Sequence, residues 1–199
     1  MRTVDPVKHE VKRREILDAA GRCFVRKGFQ GATIASICAE AKISPGHLYH
    51  YFASKEAIVR AIVEAGLESN VELLAQVMEK PDAIEAFVAE VRHSKDHRKQ
   101  TVQALLPDML AEAGRNPAMA EILQEHSRKL QTLLADFLRM GQARGQIDPD
   151  LDPEVAAGVV LCMGDGIRAL ALRNPQVDMG ESLNTLKILL TRFLTPQKP

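Results

Sequence analysis

The order of apolar and polar positions along this 199-residue chain has the period of an α-helix almost throughout. The first clear apolar stripe lies between Lys12 and Lys27, and Gly28 follows it where a helix is expected to end. No stretch alternates as a half-buried β-strand does, and no repeat of about 20 to 50 residues is present. The pattern therefore predicts an all-α fold of about nine helices rather than a solenoid.

Two short helices are expected after the first one. Thr33 is a favourable N-cap for a helix that ends at Ala41, and Ser44 is one for a helix of barely two turns that starts at Pro45. Two short helices joined by a tight turn form a helix-turn-helix pattern, which is common in DNA-binding proteins.

A helical wheel at ~100° per residue divides the helix after Ser44 into two faces. Its two large apolar residues, Leu48 and Phe52, are expected to point inward. The others lie outward or on the flanks and are polar or lack a side chain: Gly46, His47, Tyr49, His50 and Tyr51. Central polar groups suit base edges and flanking ones suit phosphates, so the pattern favours DNA recognition. The alternative is that both tyrosines half-bury their rings at a helix junction and the histidines are only exposed.

Longer helices are predicted in the rest of the chain. The fourth begins after Ser54 and ends near Lys80, because Pro81 cannot continue it. Its apolar stripe changes face midway, as expected of a helix that packs on two different units. Later helices are predicted at about 82–98, 101–113, 117–143, 152–173 and 179–194. We expect a helix-turn-helix domain at residues 1–56 and a larger helical domain at residues 57–199.

The composition is that of a globular protein, with 46% hydrophobic and 26% charged residues. The net charge of zero hides an asymmetry, because residues 1–60 hold eleven Lys and Arg against six Asp and Glu, and the rest holds fifteen against twenty. A basic segment on an acidic body favours a polyanionic partner. No apolar run approaches the roughly 18 residues of a membrane span, and the N-terminus lacks the apolar segment of a signal peptide. We expect no membrane partner and a cytoplasmic location.

The reactive residue types do not form a recognisable catalytic or metal site. Three widely spaced cysteines suggest neither a disulfide framework nor a zinc site. His93 and His97 have the i, i+4 spacing of a helical metal site, but no third ligand is evident. There is no P-loop, HExxH or nucleophile motif, and a single ExxH segment does not make a di-iron pair. We expect no cofactor, no metal and no catalytic residue, so a helical enzyme is the least favoured class.

Residues 14–63 resemble the DNA-binding region of the TetR family of bacterial transcriptional regulators. The resemblance rests on the spacing of Ala20, Phe24, Gly28 and Phe29 and on the run SPGHLYHYFASKE. Family members usually have Gly where this chain has Lys42, so a positive φ is expected there. Carried over position by position, the resemblance implies that these residues lie at or near DNA: Thr33, Ser44, Gly46, His47, Tyr49, His50, Tyr51 and Lys55. Lys42 departs from the family pattern, and we expect it to add a phosphate contact.

The resemblance also implies a homodimer that binds a palindromic double-stranded operator and, as a repressor, is released by a small, largely apolar effector. Small and apolar residues of the last two helices are expected at the dimer interface: Ala157, Val160, Gly164, Leu186, Leu190 and Phe193. An apolar pocket with a few polar groups is expected from these residues: Met78, Phe87, Met109, His126, Phe137, Met163, Asp165 and Arg168.

The alternative is a DNA-binding regulator without a small-molecule ligand, which is constitutive or controlled by a protein partner. The effector, the operator sequence, the choice between repression and activation, and the number of dimers on one operator stay open at this stage.

Overall fold

The computed structural model describes residues 5–80, 82–93 and 96–196, without the side chains of residues 88, 91–93, 168, 171 and 172. Over these residues the chain forms nine α-helices and no strand, which confirms the predicted all-α fold. None of the helices, as far as they are described, is both long and apolar enough to cross a bilayer. In chain order the helices are α1 Pro6–Gly31, α2 Ile34–Ala41, α3 Pro45–Tyr51, α4 Lys55–Met78, α5 Ala83–His93, α6 His97–Ala113, α7 Pro117–Ala143, α8 Pro153–Arg173 and α9 Met179–Leu194.

Helix α1 starts earlier than its apolar stripe predicts. The Asp5 carboxylate accepts hydrogen bonds from the backbone N–H groups of Val7 at 3.1 Å and Lys8 at 3.4 Å. Pro6 occupies the first helical position, where the missing N–H does no harm. At Gly28 the backbone leaves the helical region, with φ 69° and ψ 170°. We expected the helix to end at this glycine, but α1 only kinks there and continues to Gly31. A residue with a Cβ would adopt these angles only at a high energy.

The break between α5 and α6 does not lie where the sequence pattern suggests. We predicted a break between residues 98 and 101, but α5 ends at His93 and α6 begins at His97. The reason is Asp96, whose carboxylate caps α6 by accepting a hydrogen bond from the Arg98 N–H at 2.8 Å. His93 and His97 therefore belong to different helices, and the side chain of His93 lies outside the described residues.

The described residues pack as two compact units. One contains the chain up to Ser69 and the segment from Asp96 to His126, and the other contains the remainder. Helices α4 and α7 each contribute residues to both units. The functional division between residues 56 and 57 stays a prediction, because these units are defined by packing alone.

The core of the first unit joins α1, α2, α3 and α6 with the first halves of α4 and α7. Its large, fully buried side chains include Ile16, Phe24, Ile37, Leu48, Ile58 and Met119. Helix α6 approaches α1 at Gly21, where a Cβ would lie 2.7 Å from Thr101 Cγ2, and α4 at Gly66, where it would lie 2.6 Å from Val102 Cγ2. Both glycines thus permit the close packing of α6 within this unit.

Polar contacts also hold α6 to the end of α1. The Asp108 carboxylate accepts a hydrogen bond from the Phe29 backbone N–H. One turn later, the buried Glu112 accepts one from the Gln30 side chain at 2.6 Å and pairs with Arg115 at 2.8 Å. These two acceptors, the half-buried Asp108 and the buried Glu112, fix the residues that follow the kink at Gly28.

The second unit has its own core, built from the rear of α4 and parts of α5, α7, α8 and α9. Here the Phe87 and Phe137 ring centroids are 5.5 Å apart. The expected change of buried face along α4 is confirmed, because Ile58 belongs to the first core and Met78 to the second. Val71, in the rear half of α4, is 49% exposed.

Candidate nucleic-acid interface

Helix α3 is a short helix held by its inner face and its caps. The Ser44 hydroxyl accepts a hydrogen bond from the His47 N–H at 3.2 Å, and Pro45 occupies the first helical position. Leu48 is fully buried and Phe52 is 5% exposed, so the predicted inward orientation of both is confirmed. The two apolar anchors fix which face of α3 points outward.

The outward face of α3 carries the side chains expected of a DNA-reading helix. Gly46, His47 and His50 are exposed, and Tyr49 beside them is 53% exposed. A Cβ added at Gly46 would meet no atom of the described residues within 4 Å, so none of their contacts requires glycine there. The exposed face therefore offers imidazole and phenol groups around a position without a side chain.

Tyr51 lies differently from Tyr49, although we predicted both on the flanks of α3. It is half-buried, and its ring stacks on the imidazole of His9 with centroids 4.5 Å apart and planes at 26°. His9 belongs to α1 and was not singled out by the sequence pattern. Asp5 and Pro6 form a helix-start signal that would have placed His9 on α1, although not against Tyr51.

The turn between α2 and α3 contains a left-handed residue. Lys42 has φ 53° and ψ 47°, so the predicted positive φ is confirmed. A lysine in this conformation costs on the order of 1 kcal/mol relative to glycine. Its side chain is exposed next to α3, where a cation can meet a phosphate.

Thr33 caps the N-terminus of α2 as predicted. Its hydroxyl oxygen accepts a hydrogen bond from the Ser36 N–H, and Ser36 Oγ accepts one from the Thr33 N–H, both at 3.1 Å. Thr33 is exposed. Because a hydroxyl both donates and accepts, Thr33 retains its own hydrogen for an external acceptor such as a phosphate oxygen.

Lys55, at the start of α4, has a partner within the chain. Its ammonium donates a hydrogen bond to the Phe29 carbonyl oxygen at 2.7 Å and lies 4.3 Å from the centroid of the Phe29 ring. The lysine thereby joins the beginning of α4 to the end of α1. An ammonium has three donors, so this contact leaves capacity for a second acceptor.

Two arginines of the basic first 60 residues form ion pairs between α1 and α2. Arg22 and Arg26 both bind the Glu40 carboxylate, at 2.8 Å and 2.5 Å. The hydrogen bond from Arg22, followed by that from Arg26, lowers the pKa of Glu40. Glu40 is already included in the count of eleven basic against six acidic residues, so these pairs fix the two arginines without changing the basic excess.

The residues predicted to bind a ligand do not form one group. Four of them line the core of the second unit: Met78, Phe87, Phe137 and Met163. Met109 is buried in the core of the first unit, and His126 is half-buried at the end of the segment of α7 that belongs to that unit. Asp165 is exposed on α8, and the side chain of Arg168 lies outside the described residues.

The residues predicted at the dimer interface lie mostly inside the chain. Four are buried in the core of the second unit: Ala157, Val160, Leu186 and Leu190. Gly164 and Phe193 are half-buried. The same two helices expose other apolar side chains: Val155, Val159, Leu170, Ile188 and Leu189. Since α8 is apolar on several faces, its pattern did not show which face packs within the chain.

The N-terminal region of the chain matches a family model. The model described as "Bacterial regulatory proteins, tetR family" matches residues 16–62, which include α2 and α3. A second model, described as "BetI-type transcriptional repressor, C-terminal", matches residues 81–195. Together the two models span the helix-turn-helix and most of the helical body.

Individual proteins agree with the family models. The chain is 33% identical over 159 residues to the HTH-type transcriptional regulator UidR of Escherichia coli K12, covering 79% of this chain and 80% of UidR. It resembles the solved structure of Salmonella enterica GusR at 30% identity and a TM-score of 0.67, covering 92% of this chain and 95% of GusR. It shares its fold, at 22% identity and a TM-score of 0.76, with SmeT of Stenotrophomonas maltophilia in complex with triclosan, covering 94% and 93% of the two chains. The chain thus belongs to the TetR family of bacterial transcriptional regulators.

Proposed function

We propose that this regulator binds a palindromic DNA operator as a homodimer, inserts α3 of each copy into the major groove, and represses transcription until a small molecule releases it. The observation that best supports this function is the outward face of α3. A seven-residue helix anchored by Leu48 and Phe52 exposes Gly46, His47 and His50. Such a face matches the hydrogen-bonding edges of base pairs.

The outward residues have different proposed roles. His47 and His50 read base edges, because an imidazole nitrogen can donate or accept a hydrogen bond. Tyr49, Lys42 and Thr33 lie to the sides and contact phosphates, which position the helix without reading sequence. Gly46 lets the backbone of α3 come close to the floor of the groove.

The exposed apolar face of α8 supports the homodimer. Val155, Val159, Cys162, Gly166 and Leu170 are all exposed and lie within about 80° on a helical wheel. Packing this stripe and the exposed Ile188 and Leu189 of α9 against a second copy gives a four-helix interface with two-fold symmetry. Two copies are needed because one α3 reads only a few base pairs, and half-sites repeat about 34 Å apart.

The proposed effector site lies in the core of the second unit. Phe87 and Met163 are half-buried and pack against the core that contains the buried Phe137 and Met78. Ligand sites combine such apolar walls with a few polar groups. SmeT, which shares this fold, was solved with triclosan bound. We therefore propose a small, largely apolar effector.

The effector acts by binding two conformations of the dimer with different affinities. A ligand changes DNA affinity only by the difference between its affinities for the two states. Helix α4 has side chains in both cores, Ile58 in the first and Met78 in the second. Repacking at Met78 is the proposed route by which the effector acts on α4.

A second candidate is a regulator of the same family that has no small-molecule ligand. It is supported by the packing of the second core, where Phe137 is 1% and Met78 4% exposed. In this case a protein partner controls the dimer, or DNA binding is constitutive.

The DNA-binding part is tested by two substitutions on α3. Tyr49→Ala should weaken binding to all duplexes by a similar factor, because phosphate contacts do not depend on sequence. His47→Ala should reduce discrimination at particular base pairs instead. Both affinities are measured by fluorescence anisotropy on operator and single-base variants of it. A uniform loss for His47→Ala would move His47 to the phosphate-contacting group, and full affinity in both variants would contradict the proposed role of α3.

The effector part is tested with a fluorescent reporter. The chain has no tryptophan, so Phe87→Trp introduces a single one at the proposed site, and Leu110→Trp, at a 57% exposed position on α6, is the matched control. We expect one or more small apolar compounds to change the emission of Trp at position 87 but not at position 110, and to release DNA. If no compound of a broad library changes either emission or DNA affinity, the second candidate is favoured.

A further inference from the structure

The stack between His9 and Tyr51 joins the start of α1 to the end of the proposed DNA-reading helix. The two ring centroids are 4.5 Å apart with planes at 26°, and the His9 centroid is 6.0 Å from that of His50. His9 is half-buried in the first turns of α1, which Asp5 and Pro6 fix in place. The stack is therefore formed between two helices whose positions are already set.

Other ring contacts fix the two helices beside each other. The Arg13 guanidinium, one turn after His9, lies 5.6 Å from the centroid of the Phe52 ring. On α3 itself, the His47 centroid is 5.6 Å and the His50 centroid 5.4 Å from that of Tyr51. Three imidazole rings thus contact the half-buried Tyr51 ring, and of these three only His9 comes from another helix.

We infer that His9 is a positioning residue for DNA recognition, which holds the Tyr51 ring in one orientation so that its hydroxyl meets a phosphate. The inference rests on the proposed DNA-binding function of α3. A side chain that is ordered before binding loses less conformational entropy when it binds, so the complex is tighter. Within the described part of the chain the Tyr51 hydroxyl makes no hydrogen bond, whereas its ring is held from several sides.

Two other roles for His9 are distinguishable from this one. If the stack only stabilises the fold, removal of the His9 ring lowers stability but not the DNA affinity of the folded protein. If an imidazole nitrogen contacts DNA directly, any ring without nitrogen at position 9 loses affinity. If His9 only positions Tyr51, the side chain at position 9 must have a ring, but that ring does not need a nitrogen.

The stack itself is tested by NMR of the tyrosine rings. The chain has two tyrosines, so ring-labelled tyrosine gives two sets of signals, and Tyr49→Phe assigns them. We expect His9→Ala to shift the Tyr51 signals, through loss of the imidazole ring current, and to leave those of the exposed Tyr49 in place. Unchanged Tyr51 signals would overturn the inference at its first step.

The effect of the stack on recognition is tested by DNA affinity in four variants and one control variant. We expect His9→Ala to weaken operator binding by about three- to tenfold, and His9→Phe, which retains a ring, to stay within about twofold of the parent. Tyr51→Phe removes the hydroxyl and keeps the stack, so it should weaken binding, and adding His9→Ala to it should cause little further loss. Val7→Ala, on the same turn of α1 and 72% exposed, is the control and should bind as the parent does.

Each contrary result has a distinct meaning. If His9→Ala binds the operator with full affinity, His9 has no positioning role. If His9→Ala and His9→Phe lose affinity equally, the positioning role is also overturned, and a direct contact between the imidazole and DNA is favoured. If the parent protein binds no duplex DNA, the proposed function fails and this inference fails with it. If the parent binds and His9→Ala binds equally well, only this inference fails.

Discussion

Lys42 has a backbone conformation that glycine adopts more easily, with φ 53°. We therefore expect Lys42→Gly to raise the free energy of unfolding by up to about 1 kcal/mol, measured by denaturant titration. The same change should weaken DNA binding and make the slope of log K against log [salt] shallower by about 1, because one phosphate contact is lost. Stability and function should thus change in opposite directions at one residue.

Lys27→Gly is the matched control for Lys42. Lys27 is exposed in the helical part of α1, so glycine there should lower stability instead of raising it. If Lys42→Gly retains the parental affinity and salt slope, Lys42 is not a phosphate contact.

Asp96, the N-cap of α6, makes stability depend on pH. Its pKa lies well below the ordinary value, chiefly because the Arg98 side chain donates to it and also because the Ser69 hydroxyl does so at 2.6 Å. A carboxylate whose pKa is lower in the folded than in the unfolded state stabilises the fold above its unfolded pKa of about 3.9, and the contribution is lost as the pH falls below that value.

The prediction for Asp96 uses Asp96→Asn, which keeps a capping side chain without the titration. The parent should be more stable than the variant at pH 6, and the difference in the free energy of unfolding should shrink between about pH 4 and pH 2. Urea titrations across this range measure it. If the difference in the free energy of unfolding between parent and variant does not vary with pH, the ionised Asp96 carboxylate is not its source.

Among the helices, α3 contains a position, Gly46, where one substitution should affect stability and DNA affinity differently. A Cβ at Gly46 would meet no atom within 4 Å, and alanine is a better helix former than glycine by up to about 1 kcal/mol. Gly46→Ala should therefore keep or raise the melting temperature, yet lower DNA affinity about tenfold or more if the backbone must approach the bases closely.

Gly114→Ala is the control for Gly46→Ala. Gly114 ends α6 with φ −67°, which alanine also adopts, and it lies outside the proposed interface. DNA affinity should not change there. If Gly46→Ala binds as tightly as the parent, the glycine does not serve close approach to DNA.

Most element positions could be predicted from local sequence because caps and prolines determine helix ends. Ser44 and Pro45 gave the start of α3, and Thr33 that of α2. The errors also have local causes. The start of α1 at Pro6 was missed because its first turns lack an apolar stripe, and the break before α6 was misplaced because the cap at Asp96 lies in a continuous run of charge. The contact of His9 with Tyr51 links residues 42 positions apart, and no local pattern indicates it.

For the molecule as a whole, the exposed stripe on α8 predicts a substitution that separates the two copies of the proposed dimer. Val159→Glu places a charge in the proposed interface, at a position that is 38% exposed in the single chain, so the monomer should still fold. We expect a solution mass near the 21.9 kDa of one chain instead of twice that value, with an unchanged helical circular dichroism spectrum and greatly weakened operator binding.

Val25→Glu is the matched control for Val159→Glu, because Val25 is a 50% exposed residue of α1 outside the stripe. This variant should remain a dimer. A dimeric Val159→Glu protein would mean that two copies meet through another surface.

The division of apolar faces in α8 and α9 could not be predicted from the sequence. Helix α8 has apolar or small residues on most sides, so Ala157 and Val160 in the core resemble Val155 and Val159 on the surface. Long-range packing against α7 and α9 determines which face of α8 is buried within the chain. For the same reason the sequence grouped Met109 with Phe137, although the two residues lie in different cores.

The central claim, that α3 reads a palindromic operator in a dimer, is tested most directly by selecting binding sites from random duplex DNA at about 150 mM salt, near physiological screening. The mass of the protein–DNA complex is measured on the enriched duplex. The account predicts an inverted repeat with half-sites about one helical turn apart or a multiple of it, bound by two copies of the chain or a pair of such dimers. A folded, dimeric protein that enriches no sequence, or one that enriches a site without symmetry as a single copy, would contradict it.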